Sequence, residues 1–550
     1  MMPAASRRAK RSATMLAIAA LVVAGGYALF QHYRIYLPGI IGQWREPILA
    51  NHPVVWAQGP ATAPAGKRPP NIILILADDL GMNDISLYGR GVANGAVPTP
   101  NINAIATQGL NFTTAYAANA TCSPSRAALM TGRYPTRYGF EYTAVPPSFA
   151  ANLAHSGGPS PYPVIYHREL DHDLLDYPEM GVPASEITIA EVLKARGYHT
   201  VQIGKWHLGE SRALRPTGQG FDESLGFRAG GGMYMPPDDP NVVNAKLPFD
   251  PIDRFLWPNL PYAVYWGDDQ RFKPVGHATD YFTDNALKAI EANRNRPFFL
   301  YLAYNAPHTP LQALKQDYDA LPQIRDHTQR VYGAMIRQMD RRIGDVMAKL
   351  KALNLGDNTL VIFTSDNGGA WYTGIPDLNA PYRGWKATFF EGGIRIPMMM
   401  RWPGHIAPAT TPVIADHLDI FATIAAAAGA KVPSDRPMDG FDLLGPAPKR
   451  DALFWRSGDY RAVRQGDWKL QVSKRPDKAW LFDLAVDPTE KVDLAAREPQ
   501  RVAAMRALIE RHNAGMAKPL WPGLIEGPVR IDVPINAPWK PGQEYVYWAN

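Results

Sequence analysis

The only cysteine among the 550 residues lies in a segment whose residue types could support chemistry on an oxyanion. Cys122 belongs to the segment TCSPSRAALMTGRYP. Cys122 or Ser123 can cap a helix, Pro124 suits the first turn, and Gly132 suits the C-terminal end. Arg126 follows about one turn later and would face the same side as Cys122. Since backbone N–H groups at a helix N-terminus favour negative charge, the pattern predicts Cys122 beside an anion site.

Two pairs of oxygen-bearing side chains follow apolar runs. Asp78 and Asp79 end the run NIILILADD, and Asp366 and Asn367 follow TLVIFTS. Carboxylate and amide oxygens are hard ligands that suit Ca²⁺ or Mg²⁺ better than zinc. Taken singly, each pair has another interpretation, because ADD can cap a helix and DNGG is typical of a turn.

Basic side chains and histidines occur in three further motifs. GKWHLG carries Lys205 and His207, APHTP carries His308, and RGWKATFFEGG carries Lys386. Lysine offers a point charge to the oxygens of an anion, and histidine can move a proton near neutral pH. A single histidine or lysine is more often a core or surface residue, so only the whole set indicates a site.

The motifs together resemble those of a known family. CSPSR followed by TGRYP, with the other motifs in the same order through most of residues 71 to 470, resembles the type I sulfatases of the alkaline phosphatase superfamily. In that family the cysteine of C-x-P-S-R is converted to formylglycine and hydrated to a geminal diol. One hydroxyl attacks sulfur and releases the alcohol. The other then loses its proton, which expels sulfate and regenerates the aldehyde.

The resemblance implies a role for each motif residue. The implied ligands of one Ca²⁺, with Mg²⁺ less expected, are Asp78, Asp79, Asp366, Asn367 and the modified Cys122. The implied catalytic residues are Cys122, Arg126, Lys205, His207, His308 and Lys386. The lysines would contact sulfate oxygens, His308 would donate to the leaving oxygen, and His207 would orient the diol and assist the elimination. Arg126 would contact the diol or the sulfate. Trp385 departs from the family, because many relatives have glycine there.

The implied substrate is an organic sulfate ester, either an aryl or a carbohydrate sulfate, and the implied partner is a formylglycine-generating or sulfatase-maturating enzyme. Two alternatives stay open. One is a formylglycine-dependent phosphonate or phosphodiester hydrolase, because sulfate and phosphate are similar tetrahedra. The other is a catalytically inactive, membrane-tethered glycan-binding relative. Other hydrolase classes are disfavoured, because the sequence has no G-x-S-x-G or H-E-x-x-H motif.

Composition excludes several other classes. The net charge is only +6 and the basic residues are scattered, so a nucleic-acid partner is not expected. A single cysteine rules out an intramolecular disulfide and a zinc site built on several cysteines. The 51 prolines and 46 glycines predict many ordered loops in a globular protein.

Apolar runs of strand length alternate with helical patterns, which predicts an α/β fold with a large, mostly parallel sheet between helices. The strand-like runs are NIILILADD, HTVQIGKWH, PFFLYLAYNAPH and TLVIFTSDN. Helical periodicity covers Ser185 to Arg196 and Tyr332 to Leu350. The resemblance implies the alkaline-phosphatase-like sulfatase fold. The active site is expected at the carboxyl edge of the sheet, where ligands gather in such folds.

The chain divides into four predicted regions. Residues 1–30 combine Arg7, Arg8, Lys10 and Arg11 with the run ATMLAIAALVVAGGYALF, which indicates a signal peptide or a signal anchor. The protein is therefore expected in the periplasm or outside the cell. Residues 31–70 are predicted to be an irregular tether, residues 71–440 the catalytic domain, and residues 441–550 a smaller α+β domain. That last region has short β-like runs and a helical pattern over Pro499 to His512.

Two long aperiodic stretches, Glu141 to Pro183 and Ala229 to Pro274, are expected to be walls or lids of the site or packed surface loops. The second stretch holds aromatic residues that could stack on a sugar or aryl ring, or could simply pack: Phe255, Trp257, Tyr262, Tyr265 and Trp266.

Overall fold

The computed structural model describes residues 4–63, 66, 68–155, 161–446 and 450–550. The helices are α1 (Ala4–Tyr33), α2 (Leu37–Arg45), α3 (Val92–Gly95), α4 (Pro100–Thr107), α5 (Cys122–Thr131), α6 (Pro147–His155), α7 (Ile189–Ala195), α8 (Pro251–Asn259), α9 (Ala278–Ala292), α10 (Lys315–Asp319), α11 (His327–Ala352), α12 (Glu391–Ile394), α13 (His417–Ala427) and α14 (Pro499–Asn513). The strands are β1 (Asn71–Ala77), β2 (Leu110–Tyr116), β3 (Ile165–Tyr166), β4 (His199–Lys205), β5 (Glu223–Phe227), β6 (Val242–Ala245), β7 (Tyr265–Trp266), β8 (Phe298–Ala303), β9 (Leu311–Leu314), β10 (Thr359–Ser365), β11 (Met398–Arg401), β12 (Ala409–Asp416), β13 (Leu453–Ser457), β14 (Tyr460–Gln465), β15 (Trp468–Lys474), β16 (Asp477–Asp483), β17 (Ile525–Arg530) and β18 (Tyr545–Ala549).

The predicted large sheet is confirmed. Its nine strands have the order β12-β2-β11-β10-β1-β8-β4-β5-β7. The central strands β10, β1, β8, β4 and β5 run parallel to one another, whereas β11 and β7 are antiparallel to their neighbours. The carboxyl ends of the central strands therefore lie at one edge of the sheet.

Side chains alternate between two cores along β1, which explains its continuous apolar sequence. Ile73 and Ile75 belong to one core, together with residues of α4, α9 and α11. Leu74 and Leu76 belong to the other core, with residues of α5, α7 and α13. Because successive strand residues point to opposite faces, a strand covered by helices on both sides must be apolar throughout.

The predicted helices are present with shifted ends. The pattern from Ser185 to Arg196 corresponds to α7, which begins later because Thr188 and Glu191 form a capping box. The pattern from Tyr332 to Leu350 lies inside the longer α11. Helix α5 begins at Cys122, as its N1 residue, so its N-cap is Thr121 instead of Cys122 or Ser123. Gly132 has a φ of 66° at the C-terminal end, as its position predicted.

The segment before the first strand packs on the main body. Gly39 N donates to Asn259 Oδ1 at 2.6 Å, and Trp56 is 3% exposed. The segment 31–70, expected to be irregular, thus includes the ordered helix α2. Among the described residues, no helix combines the length and the apolar character of a membrane span.

The C-terminal region has the predicted antiparallel sheet and helix. Strands β13 to β16 form one four-stranded sheet in chain order, against which α14 packs. A second sheet, β18-β17-β3, joins the C-terminus to the loop stretch that begins at Glu141. That stretch also contains α6, and the stretch from Ala229 contains β6, α8 and β7. Both long stretches therefore carry short elements.

A buried ionic cluster joins the four-stranded C-terminal sheet to the region that contains the large sheet. Lys469 Nζ, on β15, lies 2.8 Å from Glu391 Oε1 and 3.0 Å from Glu490 Oε1, and all three side chains have zero exposure. Arg395 pairs with the second oxygen of Glu391 at 3.0 Å. Burial raises the pKa of Glu490 to about 7, with Lys469 opposing the shift. The cluster makes the two regions depend on each other for charge compensation.

Replacing Lys469 with Met should lower the free energy of unfolding by about 3–5 kcal/mol, because two carboxylates would lose a buried cation. Urea denaturation followed by circular dichroism measures the change. Lys474→Met is the matched control on the same strand. Its side chain is 74% exposed, so its effect should stay within about 0.5 kcal/mol. Equal effects of the two substitutions would contradict a structural role of the cluster.

Candidate active site

The sheet edge brings the predicted site residues together. Asp78 and Asp79 follow β1, Asp366 and Asn367 follow β10, and Lys205 is the last residue of β4. His308 follows β8 by a few residues, and Cys122 begins α5. Parallel neighbouring strands end at the same level, so residues far apart in sequence meet there. The residues predicted to form the site therefore lie together at the carboxyl edge of the sheet.

Asp79 accepts hydrogen bonds from three side chains. Its carboxylate lies 2.8 Å from Asn367 Nδ2, from Lys386 Nζ and from the Tyr372 hydroxyl. The Asp79 backbone has a φ of 61°, a conformation that is uncommon outside glycine. Non-glycine residues in this region cluster at functional sites, where surrounding contacts hold them.

A cluster of potential metal ligands surrounds Asp79. One ligand atom from each of Asp78, Asp79, Cys122 and His308 lies within 4.8 Å of the others, and all four residues are buried. Cys122 Sγ is 3.8 Å from Asp79 Oδ1, and His308 Nε2 is 3.7 Å from Asp79 Oδ2. Among the described residues, Asp78 Oδ1 and Asn367 Oδ1 are buried oxygens without a hydrogen-bond donor. Unpartnered buried oxygens beside several carboxylates are the donor set of a hard divalent cation.

Arg126 and Lys205 bind carboxylates of this cluster. Arg126 donates to Asp366 Oδ2 from Nε at 3.0 Å and from Nη2 at 2.8 Å. Arg126 Nη2 also lies 3.5 Å from Asp78 Oδ1, and Lys205 Nζ lies 2.7 Å from Asp78 Oδ2. The four side chains have zero exposure. Both cations therefore hold the predicted metal ligands in place.

Burial and neighbouring charges oppose each other in the titration of this group. Burial raises the pKa of Asp78 well above its usual value, despite the neighbouring Lys205. Burial also acts to raise the pKa of Asp366, but the charges of Arg126 and Lys205 bring that pKa below its usual value. Burial raises the pKa of the Cys122 thiol, so the thiolate is disfavoured. Additional positive charge from a cation would favour the ionised carboxylates.

His207 presents one unpaired nitrogen. Its Nε2 lies 2.8 Å from the Ala144 carbonyl oxygen, and its Nδ1 has no partner among the described residues. Burial, followed by the charge of Lys205, lowers the pKa of His207 well below its usual value. A neutral imidazole that donates from Nε2 must present Nδ1 as an acceptor. A side chain on Gly230 would lie 2.8 Å from the ring, so glycine there allows the close approach.

A cavity of about 1920 Å³ opens onto the cluster. The site side chains that line it are Cys122, His207, His308, Tyr372 and Lys386. Of the five aromatic residues singled out in the sequence, Phe255 and Tyr265 line this cavity. Trp257 binds Asp253, Tyr262 binds Pro274, and Trp266 packs edge-on against Trp56, so these three have packing roles.

Sequence reasoning missed Tyr372, whose hydroxyl lies 3.0 Å from Lys386 Nζ as well as beside Asp79. Its position after the SDNGG motif is the only signal in the sequence. Trp385, at the position where many relatives were expected to have glycine, is 4% exposed, so its large side chain is buried. Its neighbour Lys386 lines the cavity.

Residues 70–430 match the family model described as Sulfatase. N-acetylgalactosamine-6-sulfatase of Rattus norvegicus is 34% identical over 439 residues, which cover 76% of this chain and 74% of that protein. Arylsulfatase A of Homo sapiens is 32% identical over 499 residues, which cover 81% of this chain and 88% of that protein. A solved structure described as Ps i-CgsB in complex with k-i-k-neocarrahexaose has 32% identity and a TM-score of 0.68, covering 82% of this chain and 95% of that one.

The cluster predicts stabilisation by a divalent cation. After treatment with a chelator, Ca²⁺ at a hundred times its dissociation constant should raise the free energy of unfolding by about 2.7 kcal/mol. Asp79→Asn should remove most of that gain, because it removes the carboxylate at the centre of the cluster. Thermal denaturation with and without Ca²⁺ measures both effects. Asp357→Asn, at an exposed position, should keep the full gain; an equal gain in both variants would contradict the site.

Proposed function

Because this chain belongs to the sulfatase family and hydrolyses sulfate esters, we propose that its nucleophile is made from Cys122 by oxidation to formylglycine. Once hydrated, the aldehyde supplies a hydroxyl nucleophile. The observation that carries the proposal is that Cys122 lines the cavity at the start of α5, 3.8 Å from Asp79. The unmodified thiol is a weak nucleophile there, because burial raises its pKa.

Two cavity residues can act on the sulfate ester. Burial acts to lower the pKa of Lys386, but the combined effect of Asp79 and the neighbouring groups holds it well above its usual value. Lys386 therefore stays protonated and offers positive charge to sulfate oxygens. His308 Nδ1 lies 2.5 Å from the Thr309 carbonyl oxygen, so Nε2 carries a proton only in the imidazolium form. Burial lowers the pKa of His308, and the neighbouring Asp78 and Asp79 act against that shift. We assign the donation to the leaving oxygen to the imidazolium form.

His207 is suited to take up a proton. Its Nδ1 is the acceptor of a neutral imidazole that faces the same cavity as Cys122. This arrangement supports the assignment of His207 to orienting the nucleophile and accepting the proton that is lost when sulfate leaves. Arg126 and Lys205 do not line the cavity, and we propose that they act by holding Asp366 and Asp78.

We propose Ca²⁺ as the cation, held by Asp78, Asp79, Asp366, Asn367 and the modified Cys122. All of these offer oxygen ligands, and Asp78 Oδ1 and Asn367 Oδ1 accept no hydrogen bond from the described residues. Bound there, the ion supplies positive charge to the sulfate group. Mg²⁺ is less suited, since it demands stricter octahedral geometry and keeps several waters.

A carbohydrate sulfate is the substrate class that the cavity favours. Pockets for single small ligands usually measure about 300–1,000 Å³, so 1920 Å³ leaves room for more than one sugar ring. Two of the similar proteins also have carbohydrates in their names, N-acetylgalactosamine and neocarrahexaose. The substrate is thus proposed to be a sulfated glycan.

We also propose that the chain is exported and matured by a formylglycine-generating or sulfatase-maturating enzyme. The support for export is the apolar N-terminal run, whose described side chains are largely exposed in α1, for example Leu21 at 72% and Val23 at 70%. An apolar helix whose described side chains are largely exposed suits a signal peptide or a signal anchor better than a core helix.

The peptide that contains Cys122 should be found as formylglycine when the protein is recovered from the exported fraction of its native host. Mass spectrometry of a digest measures the loss of sulfur and the gain of an aldehyde oxygen. Cys122→Ala should reduce turnover below detection and leave the thermal midpoint within a few degrees. Met130→Leu, a conservative core change on the same helix, should keep activity. An intact thiol in active protein, or turnover by the alanine variant, would refute the nucleophile.

Sulfate esters should be preferred over phosphorus esters. Rates for an aryl sulfate, a sulfated glycan and the matching phosphate mono- and diesters measure the preference. We expect kcat/KM for sulfate to exceed that for phosphate by about a hundredfold or more, equivalent to roughly 2.7 kcal/mol. A preference for phosphorus would instead support a phosphonate or phosphodiester hydrolase, and glycan binding by fully modified protein without turnover would support the inactive relative.

A further inference from the structure

Part of the cavity wall comes from outside the region that matches the sulfatase family. Leu37, Pro38 and Ile41 of α2 line the cavity, although the family match begins at residue 70. This wall is firmly attached, because Arg271 donates to the Gly42 carbonyl at 3.0 Å and to the Glu46 carbonyl from Nε at 2.9 Å. Helix α2 is therefore a fixed part of the substrate cavity.

Each acidic residue of the cavity wall interacts with other groups of the same chain or is shielded by burial. Asp250 caps α8 and accepts from the backbone N–H groups of Ile252 and Asp253 at 3.0 and 2.9 Å. Glu46 accepts from the Tyr265 hydroxyl at 2.8 Å. Glu210 is buried, which raises its pKa to about 7. Burial raises the pKa of Asp250 to about 8, and Arg271 Nε lies 3.7 Å from Glu46, so these groups present little uncompensated negative charge to a ligand.

Most of the arginines on the wall are occupied as well. Arg228 donates to the Gly267 carbonyl at 2.8 Å and lies 3.9 Å above the ring of Tyr265. Arg530 donates to several carbonyls of the 534–538 loop, and Arg254 has its own interactions within the chain. Arg271 is bound to α2, as described above.

Arg34 and Arg45 are different. Both line the cavity, Arg34 three residues before α2 and Arg45 as its last residue, and neither guanidinium has a hydrogen-bond acceptor or an acidic partner among the described residues. Two unpaired guanidinium groups on a wall whose carboxylates are occupied create a local positive potential. Guanidinium binds sulfate and carboxylate groups in a forked geometry with high specificity.

We propose that Arg34 and Arg45 form a subsite for a second anionic group, a sulfate or a carboxylate, on an extended glycan whose reacting ester lies at Cys122. This inference rests on the proposed function and specifies its substrate class as a multiply charged oligosaccharide. The volume of about 1920 Å³ provides the space for a ligand that spans from the reacting centre to α2.

The test compares Arg34→Gln, Arg45→Gln and the double variant on two substrates. One is an oligosaccharide with at least two sulfate groups, and the other is nitrophenyl sulfate, which has a single charge. The ratio of kcat/KM for the oligosaccharide to that for nitrophenyl sulfate should fall about threefold to tenfold for each single variant, mainly through KM. Raising the salt concentration should shrink the difference, because the subsite is partly exposed. Arg90→Gln, an exposed arginine outside the cavity, should leave the ratio unchanged.

Two further measurements separate the possible outcomes. Calorimetric titration measures binding of the oligosaccharide to Cys122→Ala protein with and without the two arginine substitutions. The protein that carries the substitutions should bind more weakly. Sedimentation with vesicles of anionic phospholipid measures membrane binding, which should be the same with and without the two arginine substitutions. An unchanged ratio, an equal loss on both substrates, or vesicle binding that depends on these arginines would overturn the subsite. Failure of the wild-type protein on every sulfate ester would instead overturn the proposed function.

Discussion

The pairing of Arg126 with Asp366 and of Lys205 with Asp78, at zero exposure, is the constraint on which the rest of the site depends. Several carboxylates are concentrated at the end of a buried sheet, where an uncompensated charge is costly. Arg126 reaches Asp366 only because α5 begins beside the sheet edge, and Lys205 reaches Asp78 only because β4 ends there. The same two cations therefore fix the helix that presents Cys122 and the carboxylates that surround it.

The charged cluster and the outer wall of the cavity come from different parts of the chain. The ends of β1, β4, β8 and β10 supply the charged cluster, and these strands are rigid because both faces of the sheet are covered. The outer wall of the cavity comes from α2, from the loops that hold α6 and α8, and from the C-terminal sheet that ends in β18. Loops tolerate sequence change better than the sheet that they surround, so a wall built from loops can change its substrate while the residues at the strand ends keep the same reaction.

The C-terminal region contributes to both stability and the cavity. Lys469 compensates Glu391 across the boundary, and β17 with the loop after it lines the cavity. The segments at the two ends of the chain thus complete a site whose chemistry lies in the middle. The cavity therefore extends beyond residue 430, where the family match ends.

The sequence by itself determined the fold class and predicted most residues of the candidate site. Continuous apolar runs ending in carboxylates, such as NIILILADD, identify buried parallel strands, and their shared edge follows from strand polarity. It could not decide that Thr121 is the N-cap of α5, that Arg126 and Lys205 bind carboxylates, or that Tyr372 joins Asp79. Nor could it separate Phe255 and Tyr265, which line the cavity, from Trp266, which packs on Trp56. Only the structure decided these points. Apart from the N-cap, each depends on contacts between residues tens to hundreds of positions apart, which local periodicity does not encode.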